Sequence, residues 1–271
     1  DASARFPSMI GKGAAEGTAP QTLARFDHLA IVPAAATGYI QSIDDDGLLA
    51  LASKADVMLR LRYRPGDFVM SGRGVVEVAP SDHWSKERSG ELQECFTVGS
   101  KRTPEHDLMF LVSELVEIAA RALSPGVNDP MTVVTCLDWL GAGGTEFATR
   151  EMPKAVRHDA EGKARLIAQP DSFAYFVDQG FGRLRKYAAA DVIAALHWLR
   201  VVGELAATCR TSVQISLLRQ EAELFREQAA ASLEGPDARQ VDRWAEALLD
   251  LLAGGIDAVN AAQIDWLGGS G

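Results

Sequence analysis

The sequence predicts an α+β protein: a small β-rich barrel or sandwich over residues 27–100, then a mainly helical subdomain, a helical bundle, over residues 101–271. Three observations predict it. Before residue 100, short apolar runs alternate with polar residues and are cut by turn signals at Asp44–Asp46 and Pro65-Gly66-Asp67. After residue 107, Leu108, Leu111, Leu115, Ile118, Ala119 and Ala122 recur at helical spacing and give one apolar face. From there on, long helical stretches follow one another, with separators at Gly141–Gly144 and Gly235-Pro236-Asp237.

Residues 1–26 hold Gly11, Gly13, Gly17 and Pro20, which break any period, so the segment reads as a linker or lead-in. Ala30–Pro33 and Gly38–Ile43 read as strands, and Gly47–Ala55 as one short helix. Val57–Leu61, Phe68–Met70, Gly74–Val78 and Glu91–Val98 complete the β-rich region. In the next helix Thr103 reads as the N-cap and Pro104 as the first helical residue, with Glu105 and Asp107 as first-turn acids. That helix ends near Leu123, because Ser124 precedes Pro125 and is pushed to an extended conformation. Gly126 supplies a left-handed turn, Asn128 suits tight-turn chemistry, and Asp129 caps a helix that starts at Pro130. Gly141, Gly143 and Gly144 end it near Leu140. A polar hairpin over 154–169 turns at Asp159–Gly162, and helices follow over about 171–187, 189–208, 211–233 and 237–253. Pro236 separates the last two, and Asp237 is placed to cap the final one.

The chain is 47% hydrophobic and 24% charged, enough for a sizeable core without a metal or disulfide staple. A net charge of -10 disfavours nucleic acid as a partner. Cys95, Cys136 and Cys209 are scattered, which fits a reducing compartment and an inert thiol at Cys136. The five histidines show no zinc spacing, and His197 among apolar helix residues reads as a hydrogen-bonded core histidine. Gly72-x-Gly74 lies between strands and makes no dinucleotide loop. No cofactor, metal or catalytic residue is therefore assigned.

The chemistry that remains lies in residues 102–132. Capping and turn formation account for the corner Ser124–Pro130 on their own. A second reading makes a ligand pocket of Arg102, Asp107, Ser124, Asn128, Asp129 and Thr132, with free amides at the second helix N-terminus. Asp129 would oppose an anion there.

Several segments also carry a resemblance: Asp107-x-x-Phe110, Leu115-Val-Glu-Ile-Ala119, Arg121-Ala-Leu-Ser-Pro-Gly-Val-Asn-Asp-Pro130 and Cys136-Leu-Asp138. With Gly38-Tyr-Ile-Gln41, Pro65-Gly-Asp-Phe-Val69, Arg102-Thr103 and the stretch Phe181–Tyr187, they resemble a bacterial family of predicted membrane proteins, domain of unknown function 2254. The resemblance covers most of the chain from about residue 27. It implies an N-terminal membrane-spanning block in the inner membrane, to which this chain is the soluble, cytoplasm-facing portion and a partner. It implies no reaction.

Three roles follow as expectations. The first is an assembly or regulatory domain of a channel or transporter, acting as a homo-oligomer. The second is a small-ligand sensor or enzyme at the Ser124–Asp129 corner. The third is a scaffold with an exposed stripe along Trp244, Leu248 and Leu252.

Overall fold

The computed structural model describes residues 28–262 apart from Met152. The lead-in expected over residues 1–26 lies outside the described residues. The chain divides into two compact units: Asp1–Phe110 with Glu151–Asp171, and Leu111–Arg150 with Ser172–Gly271.

The first unit contains β1 (Ala30–Pro33), β2 (Gly38–Ile43), α1 (Asp45–Ala55), β3 (Met58–Leu61), β4 (Phe68–Val69), β5 (Gly74–Ala79), α2 (Lys86–Glu94) and β6 (Phe96–Gly99). β7 (Val156–His158) and β8 (Ala164–Ile167) join them from later in the chain. The order β1-β5-β3-β8-β7 makes one sheet and β4-β2-β6 a second, and neither closes into a barrel. Val32, Ile40, Leu48, Leu59, Val69, Val76, Leu92 and Leu166 form the core. The expected hairpin over 154–169 is present, with Gly162 at φ 77 in its turn. It is not an appendage of the helices, however. β8 pairs parallel to β3, Leu59 opposite Leu166, and parallel pairing needs a long crossover that local pattern cannot reveal. Arg165 locks the hairpin down, 2.6 Å from Asp159 and 2.8 Å from Asp56. The β reading of Glu91–Val98 holds from Phe96, where β6 begins, and is corrected before it: Ser85 caps α2 by accepting from the Arg88 amide, and the helix runs to Glu94.

α3 (Leu108–Ala122) carries the chain from the first unit into the second, which continues with α4 (Pro130–Thr149), α5 (Phe173–Val177), α6 (Arg183–Ala188), α7 (Val192–Ala206), α8 (Ser212–Ser232), α9 (Gly235–Ala253) and α10 (Gly255–Ala261). A π-turn at Asp178–Gly182 joins α5 to α6. A chain of rings runs through the second core. Phe147 stacks on Phe176 at 4.8 Å, Phe181 meets Trp198 edge-on at 5.9 Å, and Trp198 stacks on Phe225 at 4.0 Å. Leu248 and Leu252 are buried, so the apolar stripe of α9 is core rather than a free surface. α9 begins at Gly235, which puts Asp237 in its first turn instead of at its cap.

The expected stop at Gly141–Gly144 is also corrected, because α4 continues through these glycines to Thr149. Their function is close packing. A Cβ at Gly141 would lie 2.6 Å from Val201, and one at Gly144 2.9 Å from Leu205, both on α7. The cost of helical glycine is offset by this approach. Gly144→Val should therefore destabilise the second unit by roughly 1–3 kcal/mol. Gly126→Ala, with nothing within 4 Å of the added carbon, should change stability by less than about 0.5 kcal/mol. Urea unfolding midpoints of the two variants check this.

Candidate functional site

α3 starts later than its sequence suggests. Residues 104–106 form a turn, and Asp107 occupies the capping position, its Oδ1 accepting from the Phe110 amide at 2.9 Å. The same carboxylate takes two bonds from Arg102, Nε to Oδ2 at 2.7 Å and Nη2 to Oδ1 at 3.0 Å. Arg102 also lies 5.4 Å over the Phe110 ring. Asp107 is only 2% exposed. Gly66, at φ 91, sits against it so tightly that a Cβ there would collide with the carboxylate. Thr103 offers neither the burial nor the arginine, which is why the cap moves to Asp107.

Beside this junction the first unit holds a cleft of about 90 Å³, lined by Ile43, Leu61, Tyr63, His106, Gln169 and Pro170 and by two ion pairs. Arg64 donates from Nη1 to Asp171 at 3.1 Å, and from Nη2 to Gln169 at 3.3 Å. Its amide donates to Asp67 at 2.9 Å, which fixes the Pro65-Gly66-Asp67 turn. Arg157 pairs with Asp45 at 2.5 Å. Burial pushes the Asp171 carboxyl above its ordinary range; Arg64 pulls it back, while Asp107 and Asp67 add to the rise. Burial likewise raises Asp45 against the pull of Arg157. Carboxylates raised by burial and paired with arginines in a cleft mark a candidate functional site.

Sequence reasoning missed Arg64, Asp171, Asp45 and Arg157. Arg64 follows β3 and Asp171 follows β8, so the parallel pairing of those strands brings the two together. The available signal was Arg64 directly before a strong turn.

The expected site residues divide between the units. Arg102 and Asp107 meet in the first. Ser124, Asn128, Asp129 and Thr132 gather in the second, at the corner between α3 and α4. There the Ser124 carbonyl accepts from the Val127 and Asn128 amides, and the Asp129 amide donates to Ala122. Asn128, not Gly126, takes the left-handed conformation at φ 49, since its short polar side chain tolerates that region. Asp129 caps α4 through Oδ1, from Met131 at 3.1 Å and Thr132 at 3.2 Å, and its Oδ2 accepts from the Thr132 hydroxyl at 2.6 Å. The Thr132 hydroxyl and amide hold the Asp129 carboxyl below its ordinary range. His197 bonds Asp138 at 2.6 Å. Burial pushes the Cys209 thiol up to about 12 and raises Cys136, so neither is poised as a nucleophile. Among the described residues, no group of three or more His, Cys, Asp or Glu is placed to hold a metal ion.

A family model described as a predicted membrane protein, domain of unknown function 2254, matches residues 9–204. The chain belongs to that family. Uncharacterized protein Mb1321c of Mycobacterium bovis and uncharacterized protein Rv1290c of Mycobacterium tuberculosis are each 28% identical over 181 residues. The match covers 64% of this chain and 34% of each relative, so the chain spans about a third of their length. No solved structure matches significantly. Among the described residues, no helix is long and apolar enough to cross a membrane.

The raised Asp171 gives a pH signature. A carboxyl whose folded pKa exceeds its unfolded value of about 3.9 binds more protons when folded, so its contribution to stability falls as pH rises from about 4. Asp171→Asn should flatten that decline in urea unfolding measured across a pH series. Parallel profiles for variant and wild type would remove this assignment.

Proposed function

We propose that this chain is the cytosolic part of a bacterial inner-membrane protein, acting as an assembly or regulatory domain of a channel or transporter. The observation that carries the reading is membership of a predicted membrane protein family by a chain that matches about a third of its relatives' length. The membrane-spanning block then belongs to the remaining length of the protein. Three free cysteines suit a reducing face of the membrane. The cleft beside Asp107 supplies a place where a small polar molecule could bias the domain.

That cleft also favours small-ligand sensing as a second reading. Its lining carries partly desolvated arginines and carboxylates, whereas the Ser124–Asp129 corner commits Asp129 to capping α4. A sensor would tie occupancy of the cleft to the state of the membrane block.

Topology is the direct test. A cysteine placed at exposed Glu161, in a Cys95→Ser full-length protein, should react with an impermeant maleimide in inside-out vesicles and stay unlabelled in intact spheroplasts. Labelling in intact spheroplasts would overturn the cytosolic orientation. Light scattering of the detergent-solubilised protein should give a homo-oligomer, and a strict monomer would end the assembly role.

A further inference from the structure

α3 is apolar over a wider arc than its core contacts use. Its buried row is Met109, Val112, Val116 and Ala119. The row that sequence periodicity picks out begins Leu108, Leu111, Leu115 and Ile118. The structure leaves Leu111 41% and Ile118 48% exposed, with Leu115 half-buried between them. At 3.6 residues per turn the two rows point roughly 100° apart. The steps of three, four and three along the exposed row are those of a coiled-coil seam. Contiguous apolar side chains left outside a core mark a surface that takes a partner.

Charge borders this seam on one side. Glu114 and Arg121 lie two turns apart along the edge away from the core, and both are exposed. Glu114 makes no hydrogen bond or ion pair with a described residue. Arg121 pairs with Glu117, one turn back on its own helix, and an exposed pair of that kind holds an arginine weakly. The opposite edge of the seam is Val112 and Ala119, which belong to the core.

This asymmetry selects between arrangements of two copies. In a parallel pair each Glu114 would come against the edge that carries Val112 and Ala119, which is already covered. In an antiparallel pair about a twofold axis beside Ile118, Glu114 of each copy meets Arg121 of the other, and symmetry makes the contact twice. The same register sets the start of each seam against the other copy's helix corner, where Val127 is 58% exposed.

We infer that α3 is a self-association face, on which two copies of this chain pair antiparallel through Leu111, Leu115 and Ile118 between two Glu114–Arg121 ion pairs. This rests on the assembly reading proposed above and names its contact surface. So short a seam buries less than a standard interface. Tethering both copies to one membrane assembly supplies the concentration that fills it.

Sedimentation equilibrium of the 271-residue chain should show a reversible dimer by ~1 mM, the local concentration that tethered copies reach. Ile118→Glu should weaken it by roughly tenfold or more. Glu114→Arg should weaken it several-fold by setting arginine against arginine, and adding Arg121→Glu should restore it. Mild oxidation should link two copies through Ile118→Cys in a Cys95→Ser chain, and should not link them through Glu114→Cys. The substituted α3 positions are exposed, and unaltered circular dichroism and urea midpoints at low concentration establish that each variant is folded. A chain monomeric throughout this range, or a dimer indifferent to Ile118→Glu, would overturn the face. A double charge variant no better than Glu114→Arg alone would overturn the antiparallel register. In the full-length protein, an oligomer that ignores Ile118→Glu would overturn this face and leave the assembly reading standing, whereas a strict monomer would end both. Linkage of Ile118→Cys to another part of the same full-length chain would give the seam to that part and overturn self-association.

Discussion

A buried carboxylate has to be neutralised, and around Asp107 much of the first unit's polar architecture follows from that requirement. The desolvation of a charge costs several kcal/mol unless its hydrogen-bonding capacity is filled. Asp107 fills it with a two-pronged Arg102 and with the Phe110 amide. One residue thus sets the start of α3, fixes the approach of residues 103–106, and requires glycine at position 66. Its negative charge reaches on to Asp171, which lies in the cleft under a second arginine. The clamp and the cleft are one electrostatic system, built where a strand-to-helix junction meets a tight turn.

The cleft itself depends on topology rather than on local sequence. β3 and β8 are more than a hundred residues apart in the chain, yet their parallel pairing aligns the loops that follow them. Arg64 and Asp171 come from those two loops. The corner in the second unit is the opposite case: its residues are adjacent in sequence and bond mostly to one another's backbone. This difference separates a cleft assembled by the fold from a corner that completes a helix.

The same distinction governs what could be read in advance. Strand alternation before residue 100 and the Asp129-Pro130 helix start were legible, because each depends on near neighbours; His197 is hydrogen-bonded as expected, but to Asp138 on another helix and at a partly exposed position rather than in the core. The return of 156–167 to the first sheet was not, since a parallel crossover leaves no local trace. α4 runs through Gly141–Gly144 because Val201 and Leu205 of α7 demand small residues there, a tertiary override of helix propensity. Thr103 had the right chemistry for a cap, but Asp107 had the right burial. Of the expected site, Arg102 with Asp107 and Asp129 with Thr132 were legible as polar groupings. Arg64 and Asp171 were invisible without the fold.

The chain belongs to a family described as predicted membrane proteins, and its two units supply an Arg–Asp-rich cleft in the first and a helical core in the second. Whether the Arg102–Asp107 pair organises the junction is best tested by a double-mutant cycle in urea unfolding, with Arg102→Ala, Asp107→Ala and the pair. Arg102→Ala alone should cost roughly 3–5 kcal/mol, since it leaves a buried charge uncompensated. The double variant should recover much of that loss, with a coupling of about 1–3 kcal/mol. Effects that add to within about 0.5 kcal/mol would contradict the account.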